Sequence, residues 1–155
     1  MKTGHYNRVL KFMKLAGQDT PASPVLPSED VRRLRARLIL EECLETIKAL
    51  GYHATVIPGQ TVVLTINGCA RSAADLVEVV DGCCDIKVVT TGTLIACGIP
   101  DKYVQQLVDE NNLAKFGPGG YRDAGGKWIK PPGHMPPDIA GFLEQLRKET
   151  RVACT

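Results

Sequence analysis

What is scarce in this sequence narrows its function first. Aromatic residues make up 5% of the 155 positions, and no segment interleaves them with concentrated base. That argues against a nucleic-acid-binding surface. No apolar run is long enough for a bilayer: the longest weakly charged stretch, residues 86–100, contains Lys87, Thr90, Thr91 and Gly92. The first 18 residues alternate Lys and Arg with single apolar residues and lack the apolar core of a secretory signal, so a cytoplasmic protein without a membrane partner is expected. The six cysteines include no CxxC pair and no His at zinc-ligand spacing. Four of them sit among apolar helix-like residues and are expected to be small buried thiols.

Net charge is also scarce. Nineteen basic and 17 acidic side chains leave +2, but their distribution is uneven. Residues 1–50 carry nine Lys/Arg against six Asp/Glu, residues 51–110 three against seven, and residues 111–155 seven against four. An acidic middle lies between two basic ends.

The apolar fraction of 44% and the length suit one domain with its own core. Periodicity predicts a short amphipathic helix over 4–16, a proline-containing linker, and a helix from Ser28 as N-cap to about Leu50, closed by Gly51. The β-branched runs 53–57 and 61–66 flank Pro58-Gly59-Gln60 and predict a hairpin over 53–66. A helix apolar on most sides is expected from about 71 to 97, and an all-round apolar helix is a buried one. A further helix through Lys115, an irregular Gly/Pro-rich arm over 116–137 and a short helix over 138–148 complete the chain.

The chemistry lies in carboxylates placed against this pattern. At about 100° per residue, Glu78, Asp81 and Asp85 form one stripe on the apolar helix, whose other acid is Asp75. Glu42 and Glu45 share a face of the preceding helix, with Glu41 at its edge. Burying like charges together is costly unless a cation compensates. Magnesium is the hard, oxygen-seeking ion that suits such a set and leaves room for phosphate. Pairing with Arg32, Arg33, Arg35 and Arg37, or simple exposure to solvent, is the competing reading. The residues alone give a helical magnesium site and no named reaction.

The order Glu41-Glu42-Cys43-Leu44-Glu45, then Glu78-Val79-Val80-Asp81, resembles the EExxE…ExxD signature of the MazG-like all-α nucleotide pyrophosphohydrolases, a superfamily that includes dimeric dUTPases and phosphoribosyl-ATP pyrophosphohydrolase. Asp81-Gly-Cys-Cys-Asp85 is similar to the DxxxD run that follows in many members, and Asn112-Leu-Ala-Lys115 to their NxxK motif. The tail from Gly126-Lys127-Trp-Ile-Lys130 to Asp138 looks like the DGK…KPPxxxPPD tail of one branch. The resemblance spans roughly residues 5–140.

It implies a mainly α, four-helix-bundle core, here with a β-hairpin inserted between the two metal-binding helices and an irregular C-terminal arm. It also implies a homo-oligomer, dimer or dimer of dimers, and cleavage of a nucleoside triphosphate to monophosphate and pyrophosphate with Mg2+, or Mn2+ in its place. By motif match, Glu42, Glu45, Glu78 and Asp81 would be metal ligands, Glu45 and Glu42 catalytic, and Glu41 and Asp85 supporting. Asn112, Lys115, Lys127 and Lys130 would contact substrate, joined by Tyr121 and Gln18. Phosphoribosyl-ATP hydrolysis is the nearest alternative reaction, and a non-catalytic nucleotide- or partner-binding module the alternative of a different class. His5, His53 and His134 are read as surface or packing residues.

Overall fold

A computed structural model describes residues 1–52 and 73–152. The expected hairpin at 53–66 and His53 lie outside the described residues. Among those described, the chain is mainly helical, with one two-stranded sheet. It divides into two compact units, Leu26–Ala96 and the pair Met1–Val25 with Cys97–Thr155.

The Leu26–Ala96 unit is built on two long helices, α2 (Glu29–Ala49) and α3 (Leu76–Ala96). Ser28 caps α2, accepting from the Val31 N–H at 3.5 Å, and Glu29 and Asp30 occupy the first turn, where the helix dipole favours acids. At the other end Tyr52 N–H bonds the Ile47 carbonyl at 3.1 Å and Gly51 N–H the Lys48 carbonyl at 2.9 Å. These two bonds form a Schellman closure that satisfies otherwise orphaned carbonyls.

Asp75, expected as an acid within α3, is instead the residue that starts it. Its Oδ1 accepts from the N–H groups of Val77 (2.9 Å) and Glu78 (3.3 Å), while its own N–H bonds the Ala49 carbonyl at 3.0 Å. One residue thus caps α3 and pins it to the end of α2.

Gly82 fixes how closely the two helices approach. A Cβ placed there would lie 3.2 Å from Thr46 Cβ and 3.3 Å from Thr46 Cα, with Thr46 Oγ1 nearer still. Thr46 is buried and turns its hydroxyl back onto the Glu42 carbonyl at 2.7 Å, so no polar group is stranded at the crossing. The pairs Ala49–Asp75 and Thr46–Gly82 show an antiparallel arrangement: as α2 is followed backwards, α3 runs forwards.

The expectation that α3 is enclosed on most sides holds only for its C-terminal half. Val89, Thr91, Gly92, Ile95 and Ala96 are buried, whereas Leu76 and Val77 are about three-quarters exposed (76% and 74%) and Val80 is also exposed. The cysteine expectation needs correcting in the same region. Cys83 and Cys84 are exposed, because among the described residues nothing encloses their half of α3, and Cys43 and Cys97 are only half-buried.

In the other unit, α1 (Gly4–Leu15) buries Tyr6, Val9 and Met13, spaced to share one face. Thr3 caps it, its hydroxyl accepting from Tyr6 N–H at 3.0 Å and donating to Asp101 Oδ2. The Thr3 N–H reaches Asp101 Oδ1 at 3.0 Å. Asp101 is the first residue of α4 (Asp101–Leu113), so one side-chain pair ties two helix starts together. Thr3→Ala removes both hydroxyl bonds and leaves Asp101 short of a donor. Chemical denaturation is expected to show a loss of about 1–2 kcal/mol without a change in m-value.

The fourth helix stops at Leu113, and Lys115 falls in a 3-10 turn, Ala114–Phe116. Within the arm, β1 (Tyr121–Arg122) pairs antiparallel with β2 (Trp128–Ile129), closed by an Asp123 turn. Asp123 accepts from Lys127 N–H at 2.8 Å through its side chain, and its own N–H bonds the Lys127 carbonyl at 2.9 Å. The last helix, α5 (Ile139–Val152), is longer than expected, with Asp138 Oδ1 capping it at Gly141 N–H. No single helix among the described residues is long and apolar enough to cross a membrane.

Candidate functional site

The antiparallel crossing decides which carboxylates meet. Glu42 lies one turn before Thr46, on the same face of α2, and Glu45 sits immediately before Thr46. Asp85 lies three residues after Gly82 and Asp81 one before it. Running the helices past each other from the Thr46–Gly82 contact brings Glu42 close to level with Asp85, while Glu45 and Asp81 fall on opposite sides of that contact, Glu45 toward Asp85 and Asp81 toward the level of Ile47. Glu78 falls about one turn further toward the start of α3.

Electrostatics agrees with this register. The Glu42 carboxyl is held above the ordinary glutamate range, first by burial, then by the charges of Asp85, Glu45, Glu41 and Asp81. Glu78 is not among the groups acting on it, consistent with its position a turn away. Glu42 and Asp85 are half-buried, and Glu41, Glu45, Glu78 and Asp81 are exposed, so the acids form an open face with Glu42 and Asp85 as its more enclosed members.

The arginine run mostly serves the N-terminal half of α2. Arg33 pairs with Glu29 at 2.8 Å and Asp30 at 3.8 Å, and Arg32 donates to the Pro27 carbonyl at 3.0 Å. Of the described ion pairs, one reaches the acidic face: Arg37 Nε to Glu41 Oε1 at 3.8 Å. Arg35 is buried. The described ion pairs of Arg33 and Arg37 thus engage Glu41 and acids outside the candidate set.

Among the described residues, no three His, Cys, Asp or Glu side chains stand grouped as metal ligands. In chemistry the set still fits a hard divalent cation. All its donors are carboxylate oxygens, and the mutual repulsion that raises Glu42 is the charge such a cation would neutralise.

The expected substrate contacts belong to the unit formed by Met1–Val25 and Cys97–Thr155. Asn112 and Lys115 share a face as their spacing requires, the Lys115 ammonium donating to Asn112 Oδ1 at 2.5 Å. Tyr121, Lys127 and Lys130 are exposed on the arm. Gln18 is half-buried in the turn after α1, its N–H bonded to the Met13 carbonyl at 2.9 Å.

The sequence alone does not single out Gly82 and Thr46, which set the helix approach; a glycine within an apolar helix is the available signal. Asp85, expected as a supporting acid, is the first of the charges acting on Glu42, ahead of the motif acids. His134 packs: its Nε2 lies 3.2 Å from Asn111 Oδ1, while Asn111 Nδ2 donates to the Met135 carbonyl at 2.8 Å.

Residues 9–112 match the sequence profile of the phosphoribosyl-ATP pyrophosphohydrolase family. The chain belongs to that family. The match covers about two thirds of its length and includes both acidic stretches. Family membership makes the protein a nucleotide pyrophosphohydrolase of the MazG-like superfamily, a hydrolase acting on an acid anhydride. No curated protein sequence matches the chain. Of the expected substrate contacts, Gln18 and Asn112 fall within the family match, and Lys115 and the arm lie beyond its end.

Proposed function

We propose that this family member is a magnesium-dependent nucleoside triphosphate pyrophosphohydrolase, converting a ribo- or deoxyribonucleoside triphosphate to its monophosphate and pyrophosphate. The observation that carries this reading is the meeting of Glu42 with Asp85 and Asp81 across a helix crossing drawn tight at Thr46 and Gly82. Glu42, Glu45, Glu78 and Asp81 would hold Mg2+ or Mn2+, with Glu41 and Asp85 supporting them. When bound, the cation supplies Lewis-acid stabilisation of phosphoryl charge and a more acidic water.

The protein's own residues do the rest. Glu45, exposed beside Thr46, accepts the proton of the attacking water. The half-buried Glu42, its carboxyl raised by burial and by the neighbouring acids, gains from a cation placed among them. Lys115 offers a point charge, and Asn112 an amide, to phosphate oxygens. Lys127 and Lys130 add charge, and Tyr121 and Gln18 contact the nucleoside. The chain acts as a single domain in the cytoplasm, completed as a dimer or dimer of dimers, a reading supported by the exposed Leu76, Val77 and Val80 on α3. It needs no nucleic acid or membrane.

Phosphoribosyl-ATP hydrolysis is the second reading, favoured by the description of the matching family. A panel of canonical and modified triphosphates plus phosphoribosyl-ATP, each with Mg2+, separates the two. Monophosphate and pyrophosphate from one or more nucleoside triphosphates are expected. Turnover confined to phosphoribosyl-ATP would transfer the assignment to the second reading, and no turnover of any compound would leave a binding module.

A further inference from the structure

The arm between α4 and α5 is fastened to the end of α4 at two places. At one, the Trp128 indole N–H donates to the Lys115 carbonyl at 2.6 Å, and its ring lies against Phe116 with centroids 4.8 Å apart. At the other, Asn111 holds His134 and the Met135 carbonyl. Up to the first of these the arm is stiffened by the β1–β2 pair and by Arg122 Nε donating to the Gly126 carbonyl at 3.0 Å.

Gly120 makes the first fastening possible. A Cβ there would stand 2.7 Å from the Lys115 carbonyl oxygen and 2.9 Å from Trp128 Nε1, on top of the hydrogen bond itself. The backbone at Gly120 and the indole together enclose the Lys115 carbonyl, which lies past the last turn of α4 and lacks a helical partner. The same residue's ammonium is held by Asn112 Oδ1. Lys115 is thus fixed at both its main chain and its side-chain tip, unlike an ordinary lysine at a helix end, whose flexible stem would have to be ordered on binding an anion.

We infer that Trp128 is a positioning residue for Lys115, with Gly120 as its seat: the arm is a fixed strap that pre-orders the Lys115 cation for a polyphosphate. The inference rests on the reading of Lys115 as a phosphate contact, and its test keeps the two apart. Inorganic tripolyphosphate with Mg2+ is the probe, since it carries the phosphate chain without base or sugar, and calorimetry on the full-length protein gives its Kd. Trp128→Phe keeps an aromatic ring against Phe116 and deletes the donor together with the indole's second ring. Gly120→Ala keeps the indole and pushes it off the carbonyl, serving as a second route to the same loss.

Each variant is expected to weaken tripolyphosphate binding roughly fivefold to tenfold, the effect of one lost hydrogen bond expressed through pre-ordering. Neither is expected to weaken it further in a Lys115→Ala background, because a strap acting through Lys115 has nothing left to position. If Lys115→Ala weakens binding while Trp128→Phe and Gly120→Ala do not, or if their effects add in full to that of Lys115→Ala, the strap is wrong and the Lys115 reading stands. If Lys115→Ala itself leaves Kd unchanged, or the wild type binds no tripolyphosphate, the Lys115 reading fails and the strap with it.

Discussion

Glu42→Gln is expected to yield a protein that is inactive yet no less stable without metal. Glu42 is half-buried among Asp85, Glu45, Glu41 and Asp81, and its carboxyl is raised by burial and by their charges. A neutral amide of the same shape removes one member of a repelling group and keeps the packing. The metal-free melting temperature should therefore stay level or rise, on the order of 1–3 °C given the partial solvent screening. Turnover should fall at least about 10³-fold, because a proposed ligand of the cation that stabilises phosphoryl charge is lost. The rise in melting temperature on adding Mg2+ should shrink with it.

The pH dependence has a fixed sign. A carboxyl whose folded pKa is raised binds its proton more tightly folded than unfolded, so it favours the folded state at low pH. That advantage disappears as pH climbs from the ordinary glutamate range through the raised folded value. Metal-free wild type should lose stability over that interval, and Glu42→Gln should lose less. A variant that is both destabilised and equally pH-sensitive would mean Glu42 is ordinary packing.

Gly82→Ala carries the second large effect. Its new methyl would meet Thr46 Cβ at 3.2 Å and Cα at 3.3 Å, with Oγ1 closer, and Cα belongs to the backbone and cannot rotate away. The helices must part at the level of the acids, at a cost of about 1–3 kcal/mol for overpacking. That outweighs the gain of up to about 1 kcal/mol from replacing a mid-helix glycine with alanine. Activity should fall further than stability accounts for, since Glu42 and Asp85 separate with the helices. Thr46→Ala added to Gly82→Ala should recover part of the stability, because the hydroxyl oxygen is the closest obstacle, but not all of it, because Cβ and Cα remain. Equilibrium denaturation of the two single variants and the double variant measures this coupling.

The acids were legible in the sequence because charge inside an apolar helical pattern is conspicuous, and a three- or four-residue spacing assigns a face without knowledge of the partner. Long helices with caps, such as Ser28 with Glu29 and Asp30, were legible for the same local reason. What depends on pairing was not. Thr46 and Gly82 are 36 positions apart, and neither signals contact until the helices are laid antiparallel.

Asp75 was misread because the apolar pattern ran on past it and concealed a helix start that its side-chain bonds make plain. The exposure of Leu76, Val77, Cys83 and Cys84 was also out of reach, since hydropathy reports what could be buried and not what layer is there to bury it. In the arm, the Asp123-to-Gly126 turn was readable in principle, but the Asn111–His134 contact spans 23 positions and belongs to tertiary structure alone.

If the acids of α2 and α3 hold magnesium for attack on a phosphoanhydride, as proposed, a product balance for the wild type and Asp81→Asn, with Mg2+ present or chelated, shows it once a turned-over nucleotide is in hand. Pyrophosphate should be released one-for-one with the monophosphate product, stopped by chelation, and absent in Asp81→Asn despite an unchanged circular-dichroism spectrum. Orthophosphate as the product, or pyrophosphate release that persists in folded Asp81→Asn or without metal, would contradict that proposal.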